Sequence, residues 1–130
     1  NAWFNYPLDV TVDASGVVYV ADSSNRVIRR ISTAGDVTTL AGFPGNSGNT
    51  DGTGTAARFN YPRGLATTPA GVLYVADGNH RIRKVTAAGV VTTIAGAGTA
   101  GYLDGPANQA LFSSPRDVVV DGGRTSMFNE

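Results

Sequence analysis

The chain has 130 residues, enough for one domain with a core of its own. Ten basic and ten acidic residues cancel, so no overall field draws in a phosphate backbone or an anionic membrane, and no apolar run nears the roughly 20 residues of a membrane-spanning helix. Seventeen glycines, recurrent Thr and Val and only 15% charged residues favour short strands and tight turns, an all-β fold. With no cysteine there are no disulfides or thiolate sites, and the redox compartment is not legible.

In chain order, Asn1-Ala2-Trp3-Phe4 has neither an initiator Met nor the look of a signal peptide, and reads as the start of a processed or excised piece. A first unit, residues 4–42, opens on Phe4-Asn5-Tyr6-Pro7 and then gives four apolar or alternating segments. They are Leu8 to Asp13, Tyr19-Val20-Ala21-Asp22, Ile28-Arg29-Arg30-Ile31, and Val37 to Gly42. Turns fall between them at Ala14-Ser15-Gly16, Ser23-Ser24-Asn25 and Thr33-Ala34-Gly35, where Gly and Asn tolerate positive φ.

A polar linker, 43–58, containing Gly48-Asn49-Thr50-Asp51-Gly52, leads to a second unit, 59–96. That unit repeats the first: Phe59-Asn60-Tyr61-Pro62 is identical to the opening four residues 55 positions on, Leu73-Tyr74-Val75-Ala76-Asp77 matches the second strand, and Ile82-Arg83-Lys84-Val85 the third. Val91-Thr92-Thr93-Ile94-Ala95-Gly96 matches the fourth strand, and the turns fall at Pro69-Ala70-Gly71, Gly78-Asn79 and Ala87-Ala88-Gly89. A second linker, 97–111, carries Tyr102-Leu103-Asp104-Gly105-Pro106. A third unit, 112–130, begins with Phe112-Ser113-Ser114-Pro115 and one more first strand ending at Asp121. Its tail, 122–130, does not look like a second strand, so the third unit reads as truncated. Four-stranded antiparallel sheets of this size cannot bury both faces alone and need like sheets stacked beside them, which by radial repetition makes a β-propeller.

The run Asp77-Gly78-Asn79-His80-Arg81-Ile82-Arg83-Lys84-Val85 resembles the signature segment of the NHL repeat, and Gly89 to Gly96 resembles its outer strand; the likeness extends over about residues 2–121. The resemblance implies NHL-type propeller blades, incomplete within one chain. The expectation is therefore homo-oligomerisation into a closed ring, three chains of two blades giving six, with a smaller two-chain ring as the alternative.

Candidate chemistry divides by position. His80, the only imidazole, cannot build a metal site alone and reads as a turn residue; no cofactor or metal is expected. Asp22 and Asp77, ending equivalent strands, should accept amide bonds in the following turn and pair with an Arg of the third strand. Arg29-Arg30 and Arg81 to Lys84 place cations on both faces of that strand, as edge or inter-blade salt bridges rather than an RNA surface. The residues after each proline, Leu8-Asp9, Arg63-Gly64 and Arg116-Asp117, should line the central channel or its mouth. Together with the loop residues Asp51, Tyr102 and Asp104, they give the candidate binding set Asp9, Arg63, Arg116, Asp117, Asp51, Asp104 and Tyr102. No Ser-His-Asp set, phosphate-cradling loop or paired carboxylates stand out. The expected function is a non-catalytic scaffold or recognition module, extracellular or at the cell surface, binding protein, peptide or glycan through the propeller face and inter-blade loops. Alternatives are a propeller-type lyase or hydrolase with a channel metal, and RNA binding through a basic face; a membrane partner is not expected.

Overall fold

The computed structural model describes residues 3–98, 101, 104–106, 117–121 and 124–128. Strands β1 (Pro7–Val12), β2 (Val18–Asp22), β3 (Val27–Ile31) and β4 (Val37–Gly42) pair in sequence order as an antiparallel meander, the first blade. The turns do what the glycines require. Gly16, Gly35 and Gly42 sit at φ +86, +90 and +97, and their repeat counterparts Gly71, Gly89 and Gly96 at +82, +83 and +97. At Gly42 a Cβ would also lie 2.6 Å from the Arg26 carbonyl oxygen, so the close return of β4 onto β3 admits only glycine.

The second blade is built from β6 (Pro62–Thr67), β7 (Leu73–Asp77), β8 (Arg81–Val85) and β9 (Val90–Ala95). The segment between the blades holds more structure than a polar linker requires: within it, β5 (Gly52–Thr53) pairs with Val90 and Val91 as a fifth, outermost strand. A short 3-10 turn, Gly54–Ala56, follows and packs against β4 of the first blade.

The third unit differs from its sequence reading. β10 (Asp117–Asp121) pairs antiparallel with β11 (Arg124–Phe128) from Asp117↔Phe128 to Asp121↔Arg124, so the tail does supply a second strand. The register leaves two residues, Gly122 and Gly123, between the strands, a spacing and composition that suit a hairpin even though Arg124 to Phe128 lacks the apolar alternation of β2 and β7. β10 lies alongside β6, and β6 alongside β1, so the first strands of the three units stand side by side. The core lies between the first two blades. Val17, Tyr19, Ala21, Ile28 and Ala41 of one face Phe59, Leu65, Leu73, Val75, Val85 and Val91 of the other.

A buried ionic latch holds each Phe-Asn-Tyr-Pro segment. Asp22 accepts from the Asn5 amide at 2.7 Å and from Arg29 Nη1 at 3.2 Å, while Arg29 stands over the Phe4 ring and donates to the Trp3 carbonyl. The second blade repeats this: Asp77 accepts from the amides of Asn60 (3.1 Å) and Tyr61 (2.9 Å) and from Arg83 Nη1 (3.1 Å), and Arg83 stands over Phe59 and donates to the Arg58 carbonyl. The carboxylates do pair with third-strand arginines, but the backbone amides they accept lie upstream, before the first strand; from the turn that follows, Asp22 accepts the side-chain amide of Asn25 at 2.9 Å. Both members of the second latch are fully buried, whereas the Arg29 side chain keeps 14% exposure. Removing Arg83 would leave Asp77 as a buried, uncompensated carboxylate. Arg83→Ala is therefore expected to cost about 3–5 kcal/mol in urea unfolding and Arg29→Ala clearly less; equal costs would contradict the latch.

Candidate functional site

Two backbone bulges create the most distinctive surface. In the first blade Pro7 pairs with Asp22 and Asp9 with Ala21, which leaves Leu8 as the extra residue; in the second, Pro62 pairs with Asp77 and Gly64 with Ala76, which leaves Arg63 extra. A bulge re-aims the side chain it carries. Here it brings Leu8 and Arg63 together with Tyr6 and Tyr61 around an open cleft of ≈ 400 Å³ at the start of the innermost strands. Arg63 stands 5.5 Å and Arg26 5.7 Å from the centre of the Tyr61 ring. Arg26 also donates to the Asn60 carbonyl and side chain, so its charge is engaged. Arg63 has no ion pair or hydrogen bond with the described residues, and its Nε is buried without an acceptor. Tyr6 is 65% exposed and sits at φ +58, a strained backbone for a tyrosine.

Of the sequence-derived candidates, Arg63 lies in this cleft. Asp9 serves the fold instead: its Oδ2 accepts from the Leu65 amide at 2.8 Å, across the blade boundary, and its Oδ1 from the Val10 amide at 2.8 Å. Beside it, Ser23 Oγ donates to the Pro62 carbonyl, a second tie between the blades. Asp51 is likewise committed, accepting from Arg83 Nη2 at 2.9 Å and from Thr93 Oγ1 at 2.9 Å, which clamps the inter-blade segment onto the second latch. Asp104 follows Asp51 by 53 residues, the same interval as Phe59 to Phe112, and is exposed. Arg116 and Tyr102 fall outside the described residues, and Asp117 is described as the first residue of β10 only. Tyr6 and Tyr61 were quoted in the repeat but not singled out as site residues. Their signal was available: an aromatic recurring two positions before each bulge with no inward strand position to fill.

Titratable groups point to structure rather than proton transfer. Burial pushes the Asp77 carboxyl up, while the Tyr61 amide, Arg83 and the Asn60 amide pull it back, and it has no exposed surface to meet a substrate. Burial raises the Tyr19 hydroxyl too, reinforced by Asp13, to which it donates at 3.1 Å. His80 occupies the turn before β8 at φ +65, the place Arg26 fills at φ +67 in the first blade. Among the described residues no three His, Cys, Asp or Glu side chains come together as a metal set would.

The model of the teneurin NHL domain matches residues 43–110, and that of the NHL repeat matches residues 4–26. NHL repeat-containing protein 2 of Gallus gallus is 41% identical over 120 residues, 88% of this chain and 16% of that protein. Teneurin-3 of Danio rerio is 42% identical over 91 residues, 58% of this chain and 3% of that protein. The chain thus spans a small part of the relatives it matches. An auxiliary nutrient binding protein from Bacteroides thetaiotaomicron overlays with a TM-score of 0.78 at 31% identity, covering 88% of this chain and 32% of that one. A streptogramin B lyase overlays at 0.64 with 17% identity, a likeness of fold alone.

The Asp9 clip carries a direct test. Asp9→Ala leaves the Leu65 amide, at the buried blade boundary, without its acceptor. The expected loss is about 1–3 kcal/mol of unfolding free energy, with faster hydrogen exchange at Leu65 than at the second-blade amides away from that boundary. Unchanged exchange at Leu65 would show that the carboxylate does not join the blades.

Proposed function

Because this chain belongs to the NHL-repeat family of β-propellers, we propose that it is a non-catalytic recognition module whose ligand seats in the cleft of Tyr6, Leu8, Tyr61 and Arg63. The fold is that of a protein-interaction module. What supports this site is Arg63, a guanidinium held against a tyrosine ring with no carboxylate partner among the described residues, whereas Arg29 and Arg83 of the latches are engaged. An arginine so placed matches a carboxylate or another planar anion, and flanking tyrosines and Leu8 supply apolar and stacking area with little rotamer entropy to lose. The ligand is therefore a protein or peptide segment carrying an acidic group beside an apolar side chain; an acidic glycan would meet the same chemistry. An extracellular or cell-surface setting, suited to such a module, is part of the proposal.

The non-catalytic part rests on the commitment of the buried acids to the latches and on the scattering of His80 and the carboxylates among the described residues. The lyase alternative draws only on a likeness of fold, and folds of this kind carry unrelated activities.

Selection of random peptides on the purified protein is expected to enrich sequences with Asp or Glu next to an apolar residue. Arg63→Glu should weaken their binding by about tenfold or more, roughly the 1.5–3 kcal/mol of a charge-assisted hydrogen bond, and Tyr61→Ala should weaken it as well. Peptides whose affinity ignores both substitutions would remove this site. Stoichiometric metal in the purified protein would remove the non-catalytic reading.

A further inference from the structure

Tyr61 is flanked by two guanidinium groups that no acid answers. Arg63, in β6, stands 5.5 Å from the centre of its ring, and Arg26, from the turn before β3 of the first blade, stands 5.7 Å from it. The two cationic centres thus lie no further apart than those distances added together. Both residues are half-buried, which keeps salt from screening them fully. Among the described residues neither has a carboxylate within ion-pair reach; the ion pairs at this end of the strands belong to Arg29 and Arg83. The oxygens that Arg26 does meet, the Asn60 carbonyl and, at 3.2 Å, Asn60 Oδ1, are neutral. They engage the charge without cancelling it. The turn itself does not call for an arginine: Arg26 holds φ +67, which Gly or Asn adopts with less strain, and the second blade puts His80 at φ +65 in the same place. The backbone is fixed and the side chain changes, as at Leu8 and Arg63. Asn60, the anchor of Arg26, is pinned in turn by Asp77, which accepts its amide at 3.1 Å. The guanidinium is therefore held across the blade boundary before any ligand arrives.

We infer that Arg26 is a second anion-binding group of the recognition cleft, and that the peptide segment seated there carries two acidic side chains, two residues apart. The inference rests on the cleft reading above and narrows its ligand. In an extended segment alternate side chains share a face and lie about 7 Å apart, which falls within the span of the two guanidinium groups. A guanidinium has five N–H donors, so the bonds from Arg26 Nη1 to Asn60 leave others for a carboxylate. One acid can answer only one of the two cations. A second relieves the repulsion that the first leaves in place, and it meets a donor already held in position, so it should add more than a pair of mobile surface charges would.

The probes are a selected peptide with a single acidic residue and two versions of it with a second Asp, placed two positions before or after the first. One of the two-acid versions is expected to bind the native protein about fivefold or more tightly than the single-acid peptide. Arg26→Gln, which keeps a donor for Asn60, should make the two peptides bind alike, and Arg26→Lys, which keeps the charge, should retain most of the difference; urea unfolding of each variant checks that the blades remain intact. Arg63→Glu separates the two readings. If it weakens neither peptide, the cleft itself is wrong. If it weakens both while the second acid adds nothing, or while the gain survives Arg26→Gln, the cleft stands and the role of Arg26 is overturned. Displacement of the two-acid peptide by a random single-stranded RNA at lower concentration than by unlabelled peptide would also overturn it.

Discussion

A carboxylate at the end of the second strand of each blade must be taken out of water, and everything around it is arranged to meet that cost. Asp22 and Asp77 are fully buried, each answered by an arginine from the neighbouring strand and by backbone amides from the segment that precedes the first strand. A buried ion pair adds little stability relative to an apolar pair of the same shape, but breaking it is expensive, so its main effect is to forbid alternatives. The Phe-Asn-Tyr-Pro segment cannot drift from its blade without stranding the charge. The arginine lies over the Phe ring, so the same interaction that neutralises the acid also places the aromatic side chain.

With that segment pinned, the bulge after the proline follows. The chain must pass from an irregular segment, held by the latch, into a strand paired with β2 or β7, and one residue is left over at the transition. That residue points where no ladder position dictates its chemistry. The adjoining inter-blade ties, from Asp9 to the Leu65 amide and from Ser23 to the Pro62 carbonyl, make this end of the strands rigid. The cleft between Leu8 and Arg63 is thus a by-product of how blades are fastened, and the ties around it would preorganise it for the proposed ligand.

Local signals carried most of the fold in the sequence. Glycine turns, the four-segment pattern and the identity of Phe-Asn-Tyr-Pro with its second copy located both blades, and even the partner class of Asp22 and Asp77 was legible. What was not legible depended on pairing across distance. β5 is two residues long and joins β9, which lies far along the chain, so neither periodicity nor length marked it. β11 escaped because Arg-Thr-Ser-Met-Phe lacks the apolar alternation of its counterparts, while the Gly122-Gly123 pair ahead of it was given too little weight. Asp9 and Asp51 were read as candidate ligand contacts because sequence shows a charge in a loop but not the amide or guanidinium that already claims it. The cleft tyrosines were overlooked for the converse reason: as parts of a strict repeat they looked structural, and only the exposure of Tyr6 and the place of half-buried Tyr61 in the cleft show otherwise.

Comparison of the repeats within the chain separates scaffold from reader. The latch positions do not vary between the first two units: Phe, Asn, Asp and Arg recur at Phe4 and Phe59, Asn5 and Asn60, Asp22 and Asp77, Arg29 and Arg83. The bulged position does vary, from Leu8 to Arg63, with Arg116 at the same place in the third unit. Exchanging an apolar for a cationic side chain would be ruinous in the core, yet here it leaves the paired strands in the same register. A position that tolerates such an exchange while its backbone stays fixed is free of the fold's demands. Its chemistry is then open to what approaches from outside, which is why the proposed recognition site is placed at the residues after the prolines rather than in the long inter-blade loops.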